Sequence, residues 1–211
     1  MYIPKPFKED RIEVLHRLIV DRPLAALVTL GPEGLIASHI PFLLDPHVGR
    51  FGTLGGHLAR ANPQWRDFSS QVDALVIFNG PQHYISPAWY PSRAEHGRVV
   101  PTWNYIVVHA YGPLRIVDDT RRLLPHLREL TKTQEAGIEN PWSLDEAPQE
   151  FIESMLGSIV GIEIEIRRLE GKWKLSQNRV PADRRGATAG LRRRADPDAL
   201  AIVERIESMG S

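Results

Sequence analysis

The sequence contains no cysteine. That absence excludes disulfides, thiolate metal centres, iron–sulfur clusters and cysteine nucleophiles together. It also has no surplus charge: Lys and Arg total 26, and Asp and Glu total 26. A balanced chain has no global attraction to nucleic acid or to an anionic membrane, so DNA as a partner finds no support in net charge, and any anion site has to be a local cluster. No stretch approaches the ~20 apolar residues of a membrane span. The opening Met1-Tyr2-Ile3-Pro4-Lys5-Pro6-Phe7-Lys8 has no apolar run behind its lysines, so it does not read as a secretory signal. These absences predict a cytoplasmic protein with no membrane partner. Ready-made catalytic motifs are missing as well. No Gly-x-Gly-x-x-Gly follows a candidate strand, no P-loop occurs, and the Gly-x-Ser-x-Gly elbow of serine hydrolases is absent. The 8 histidines never fall at the close spacings of metal sites, so no metal is expected.

Apolar residues make up 42% of the 211, enough for a packed core and suited to one domain over 1–211. Asp10 with Glu13 reads as a capping box for a first helix, with Ile12, Leu15, Leu18 and Ile19 on one face and Pro23 as its stop. Strands are expected over 24–30, 35–44, 50–55, 74–78, 82–86, 103–111 and 114–117, most of them separated by Gly- and Pro-containing turns. A helical insertion over about 118–156 follows, its second half opened by the capping box of Ser143 and Glu146. Ile162, Ile164 and Ile166 then alternate with Glu163, Glu165 and Arg167, a strict period of two that predicts a strand with one wet face. A last amphipathic helix over about 196–209 turns Leu200, Val203 and Ile206 inward. Hairpin-spaced strands with few, late helices point to a mainly β, antiparallel barrel with peripheral helices.

Three stretches carry candidate chemistry. In Gly55-Gly56-His57-Leu58-Ala59-Arg60-Ala61-Asn62-Pro63, a strand reads as ending in two glycines before an Asn-capped helical turn. Backbone amides and the Arg60 guanidinium there suit a phosphate; the same residues also suit a glycine turn beside a solvated arginine. Trp103 with Asn104 can stack on a planar ring and hydrogen-bond its edge, or form a core Trp beside a turn Asn. Lys174, Ser176, Gln177, Asn178 and Arg179 crowd a strand end, suiting a ligand rim or an ordinary exposed end. Further on, Arg184, Arg185, Arg192, Arg193 and Arg194 surround Gly186 and Gly190. Little apolar surface is left to bury, so a mobile loop, an anion-binding arm or a lid is expected there.

Taken in order, Gly56 to Gln64, Pro101-Thr102-Trp103-Asn104-Tyr105 and Lys174 to Arg179, with the opening Met1-Tyr2-Ile3-Pro4 and Phe7, resemble the signature segments of the PaiB family over nearly the whole chain. The resemblance implies a mainly β (α+β) fold, a six-stranded antiparallel split β-barrel of the FMN-binding type shared with pyridoxamine phosphate oxidases and flavin reductases. It implies a homodimer with FMN in the groove between subunits. It maps the phosphate to His57, Arg60 and Asn62, and the ring edge to Ser38, His39 and Thr53. Trp103, Asn104, Ser176 and Gln177 would line the same groove, from either subunit. The phosphate segment offers fewer charges than that of the oxidases. The family is described as negative regulators of protease production and sporulation, yet no DNA-reading element is visible. Three functions follow: an FMN protein with oxidoreductase or redox-sensing capacity, a DNA- or protein-binding regulator without flavin chemistry, or a heme-handling protein using His39, His57, His83 or His109. No catalytic residue or substrate is assigned.

Overall fold

A computed structural model describes residues 1–208. After a 3-10 turn at Lys5–Phe7 the chain runs through β1 (Lys8–Glu9), α1 (Ile12–Asp21), β2 (Leu24–Gly31), β3 (Gly34–Pro41), β4 (Leu43–Asp45), β5 (Thr53–Ala59) and β6 (Ala74–Ile85). It continues through α2 (Ser92–His96), β7 (Thr102–Gly112), β8 (Leu114–Val117), α3 (Thr120–Glu135), α4 (Gln149–Gly157), β9 (Ile159–Glu165), β10 (Arg168–Lys174), α5 (Pro181–Arg194) and α6 (Pro197–Ser208). The architecture is mainly antiparallel sheet with helices at the periphery. Two compact units make up the described residues: the first holds residues 1–15, 79–108 and 170–208, the second residues 16–78 and 109–169.

In the second unit β2 and β3 form a hairpin in register from Leu24↔Pro41 to Gly31↔Gly34. The turn needs a glycine at 34, where φ is +125°. The start of β6 pairs with β2 through Ala26↔Ile77. A separate four-stranded sheet has the order β4-β5-β9-β8. The period-two pattern of β9 is realised as expected, with Val160, Ile162 and Ile164 buried and Glu163 and Glu165 facing outward. Leu123 and Leu130 of α3 and Leu156 of α4 are buried, and Phe42 meets Phe78 edge-on at 6.0 Å between centroids. In the first unit the strand order is β1-β10-β7-β6. There α5 and α6 pack together, and the buried Asp183 carboxylate accepts from Ser92 N at 3.1 Å and Ser92 Oγ at 2.6 Å.

Several expectations are corrected. The third strand is not 50–55 but Thr53–Ala59, so Gly55, Gly56 and His57 lie within a strand rather than after it. Gly56 faces the core, where an added Cβ would stand 3.1 Å from Phe42 Cε1 and 3.2 Å from Ile40 Cδ1; the glycine is a packing requirement. Asn79-Gly80-Pro81 does not break the chain into two strands, and β6 runs straight through it. The Ser143–Glu146 capping box is present but opens a 3-10 turn, Leu144–Glu146, with α4 starting only after Pro148. The arginine-rich segment expected to be mobile is the 14-residue helix α5. Its glycines are filled by Trp89: a Cβ at Gly186 would lie 2.0 Å from Trp89 O, and one at Gly190 2.2 Å from Trp89 Cδ2. In α6 the buried face is Ala199, Ile202, Val203 and Ile206, while Leu200 is outward. Residue 209, the expected end of that helix, lies outside the described residues.

Candidate functional site

In the second unit the alternation of β5 turns Leu54, Gly56 and Leu58 into the core and Thr53, Gly55 and His57 to the other face. That face is covered by α3. His126 lies 3.4 Å from where a Gly55 Cβ would sit, and its Nε2 is 3.5 Å from His57 Nδ1, the rings meeting edge-on. Burial lowers the His57 pKa; burial, then the charge of His57, lowers that of His126 to about 4. Both imidazoles are therefore neutral near pH 7. Thr53 Oγ1 donates to Val48 O at 3.0 Å.

Arg60 follows the strand and is heavily engaged. Its Nε donates to Gly157 O at 2.9 Å, Nη1 to Asp118 Oδ2 at 3.1 Å, and Nη2 to Asp118 Oδ1 at 2.6 Å and Ile159 O at 3.0 Å. A guanidinium has five N–H donors, so one is left. The partnership raises the Arg60 pKa and lowers that of Asp118. Asn62 caps the Pro63–Trp65 turn as expected, accepting from Gln64 N at 3.0 Å, while its Nδ2 donates to Ser38 Oγ at 2.9 Å. His39, the next residue on β3, is exposed on the opposite face. The structure thus joins Ser38 with Asn62 and His57 with His126, and commits Arg60 to Asp118.

In the first unit β7 and the end of β10 bring together Trp103, Asn104 and Ser176. Asn104 is fully buried; its Oδ1 accepts from Ser176 Oγ at 3.1 Å, and its Nδ2 has no partner. Ser176 reaches it through a left-handed backbone, φ +65°. Trp103 is 52% exposed and meets Tyr84 edge-on at 6.0 Å. Lys174 Nζ donates to Thr102 Oγ1 and to Trp103 O; burial, then Lys172 and Arg179, lowers its pKa. Gln177 shapes the loop, donating to Trp173 O and accepting from Leu175 N at 2.7 Å. This set offers what a phosphorylated planar ligand needs: an aromatic face, an unmet buried amide and a cluster of cations.

Sequence reasoning missed His126 as a member of these clusters, whereas Lys174 stands in the stretch read as a candidate ligand rim. The signal for His126 was present, since it stands at i+3 from Leu123 and i−4 from Leu130, on the inward stripe of α3. Of the other histidines considered, His83 contacts Tyr84 O and Asp196, and His109 contacts Tyr111.

The antiparallel sheets with peripheral helices define a fold of the flavin-binding split-barrel class. The flavocytochrome Anf3 of Azotobacter vinelandii shares that fold with a TM-score of 0.54 at 12% identity, over 78% of this chain and 67% of that one. Residues 1–168 match the family described as "Putative FMN-binding domain". The protease synthase and sporulation protein PAI 2 of Bacillus subtilis is 34% identical over 98% of this chain and 97% of its own length. An uncharacterised protein of Emericella nidulans, AN0679, is 35% identical over 90% of each. The chain belongs to this PaiB-type family of FMN-binding domains, and FMN is the cofactor that membership assigns. Among the described residues no helix is long and apolar enough to cross a membrane.

Proposed function

We propose that this chain binds FMN as a cytoplasmic homodimer and has a redox or flavin-linked regulatory role. The observation that carries the reading is the fully buried Asn104 amide with one polar end unmet beside the half-exposed Trp103 indole. A buried polar group without a partner is costly, and a ring carbonyl or phosphate oxygen of a flavin would accept from the unmet amide N–H. Bound FMN supplies the electron chemistry. The protein's part is to stack the ring on Trp103, hydrogen-bond it through Asn104 and Ser176, and place the Lys174 ammonium near an anionic group, with Gln177 fixing the loop.

In the other unit, Ser38, Thr53, His57, Arg60 and Asn62 are proposed to serve the ligand, with Arg60 meeting a phosphate through its free N–H or by exchange with Asp118, and His39 is proposed to reach a ligand from the opposite face of β3. A dimer is supported by the β2–β3 hairpin. The face carrying Leu24, Ala26, Val28, Leu30, Leu35 and Ala37 is apolar apart from His39, with Leu24 64%, Leu30 39% and Leu35 78% exposed. An exposed apolar sheet face of that kind needs a cover, and a second copy of the chain provides one. Titration of the protein with FMN and riboflavin tests the cofactor: saturable quenching of flavin fluorescence is expected, and its absence for both ligands refutes the reading. Sedimentation should give a dimer that Leu35→Glu dissociates; a monomer at micromolar concentration contradicts it.

A further inference from the structure

The helix α5 places its arginines where helix physics does not favour them. Arg192, Arg193 and Arg194 stand in its last turn, where cations suit the negative end of the helix dipole. Arg184 and Arg185 stand near its first turn, at the positive end, where a cation is disfavoured. Arg184, Arg185, Thr188, Ala189 and Arg192 fall on one stripe of the helix. Thr188 and Ala189 are short, so the stripe has a low middle between long cationic arms. With Glu207 of α6 forming part of the wall, it lines a cavity of about 690 Å³ within the first unit, a size that suits a small organic ligand. Glu207 is the one carboxylate in the lining and faces Arg192, whose Nη2 lies 2.5 Å from it. Three arginines against one glutamate leave the lining with two net positive charges. The Arg184 Nε is buried and has no hydrogen-bond partner. None of the arginines belongs to the buried set through which α5 packs, Asp183, Ala187, Thr188, Gly190 and Leu191.

We propose that the α5–α6 cavity is an anion site for a small phosphorylated molecule, separate from the flavin reading above and independent of it. Guanidinium groups meet phosphate oxygens in pairs of parallel hydrogen bonds. The cavity has room for an organic group beyond the phosphate, and a bound dianion would give the Arg184 Nε its missing acceptor and offset the two surplus charges. The site lies beyond residue 168, outside the part of the chain that matches the FMN-binding domain family.

The test is calorimetric titration of the purified full chain with inorganic pyrophosphate in chloride buffer, beside FMN and riboflavin. Saturable pyrophosphate binding with a dissociation constant of about 1 mM or tighter is expected. Arg184→Gln and Arg185→Gln should each weaken it about tenfold while leaving FMN affinity unchanged. Arg185 is exposed, so its variant keeps the fold if that of Arg184 does not. Four results overturn the proposal: no saturable binding in the parent, binding insensitive to both substitutions, loss of FMN and pyrophosphate binding together, or preferential retention of duplex DNA over pyrophosphate by the same arginines.

Discussion

Replacing Asn104 with Leu and Ser176 with Ala together should leave the flavin-free protein as stable as the parent or more so, while weakening its grip on FMN. Asn104 has no solvent exposure, one end of its amide takes the Ser176 hydroxyl at 3.1 Å, and the other end has no partner. Whichever way the amide is turned, the hydroxyl can serve one end and the other stays unmet. An unmet buried polar group costs about 1–3 kcal/mol, and an ordinary hydrogen bond contributes about 0.5–1.5 kcal/mol. Removing both leaves a net gain of roughly 0–2 kcal/mol in the apoprotein. At about 2–4 °C per kcal/mol for a chain of this size, Tm rises by up to about 8 °C. Ala at 176 makes the same demand on the left-handed backbone as Ser, so strain does not confound the comparison. In the complex the same change strips the flavin of a partner in a buried place, and affinity should fall about tenfold or more. Thermal unfolding without flavin and fluorescence titration with FMN are the two readouts. A lower apo Tm with unchanged FMN affinity refutes the reasoning and makes Asn104 a structural residue.

Asp118→Asn releases the Arg60 guanidinium from its ion pair; if Arg60 serves the phosphate, FMN binding strengthens and riboflavin binding does not, whereas Arg60→Ala weakens FMN by roughly tenfold and riboflavin much less. Equal effects on both flavins would give Arg60 a purely structural role. The His126 pKa, lowered from its ordinary value of 6.5 to about 4, makes the neutral ring the folded form. Its contribution is complete above pH 6.5 and is lost as the pH falls toward 4, about 1–2 kcal/mol after screening at a half-buried site. The urea midpoint should drop between pH 7.5 and 5 in the parent and much less in His126→Leu; parallel profiles would contradict the pairing. Gly190→Ala sets a methyl 2.2 Å from the Trp89 ring and should cost about 1–3 kcal/mol with a change in tryptophan fluorescence. Parent-like melting would show that α5 is not seated on Trp89.

What the sequence made legible follows from how local each signal is. The strand β9 could be read because isoleucine and glutamate alternate at period two along it, and the Asn62 cap because Asn-Pro states its own geometry. The β5 boundaries could not, because Gly55 and Gly56 look like a strand ending. Only Phe42 and Ile40, from elsewhere in the chain, show that Gly56 is small in order to be packed against. The same holds for α5, whose glycines and arginines resemble a loop until Trp89 fills the space above them. In the candidate sites, the residue types were legible and their partners were not. Arg60 looked like a free cation because Asp118 is 58 residues away, and the unmet end of Asn104 is a property of its surroundings.

FMN binding by this chain is read from an absorbance spectrum of the purified protein, recorded before and after FMN addition and removal of unbound ligand by gel filtration. Retention of a perturbed flavin spectrum with the protein peak, saturating with added FMN and reduced in the Asn104→Leu, Ser176→Ala variant, is the predicted result. Complete loss of flavin from the protein fraction at every concentration, or a Soret band from bound heme in its place, would contradict the account.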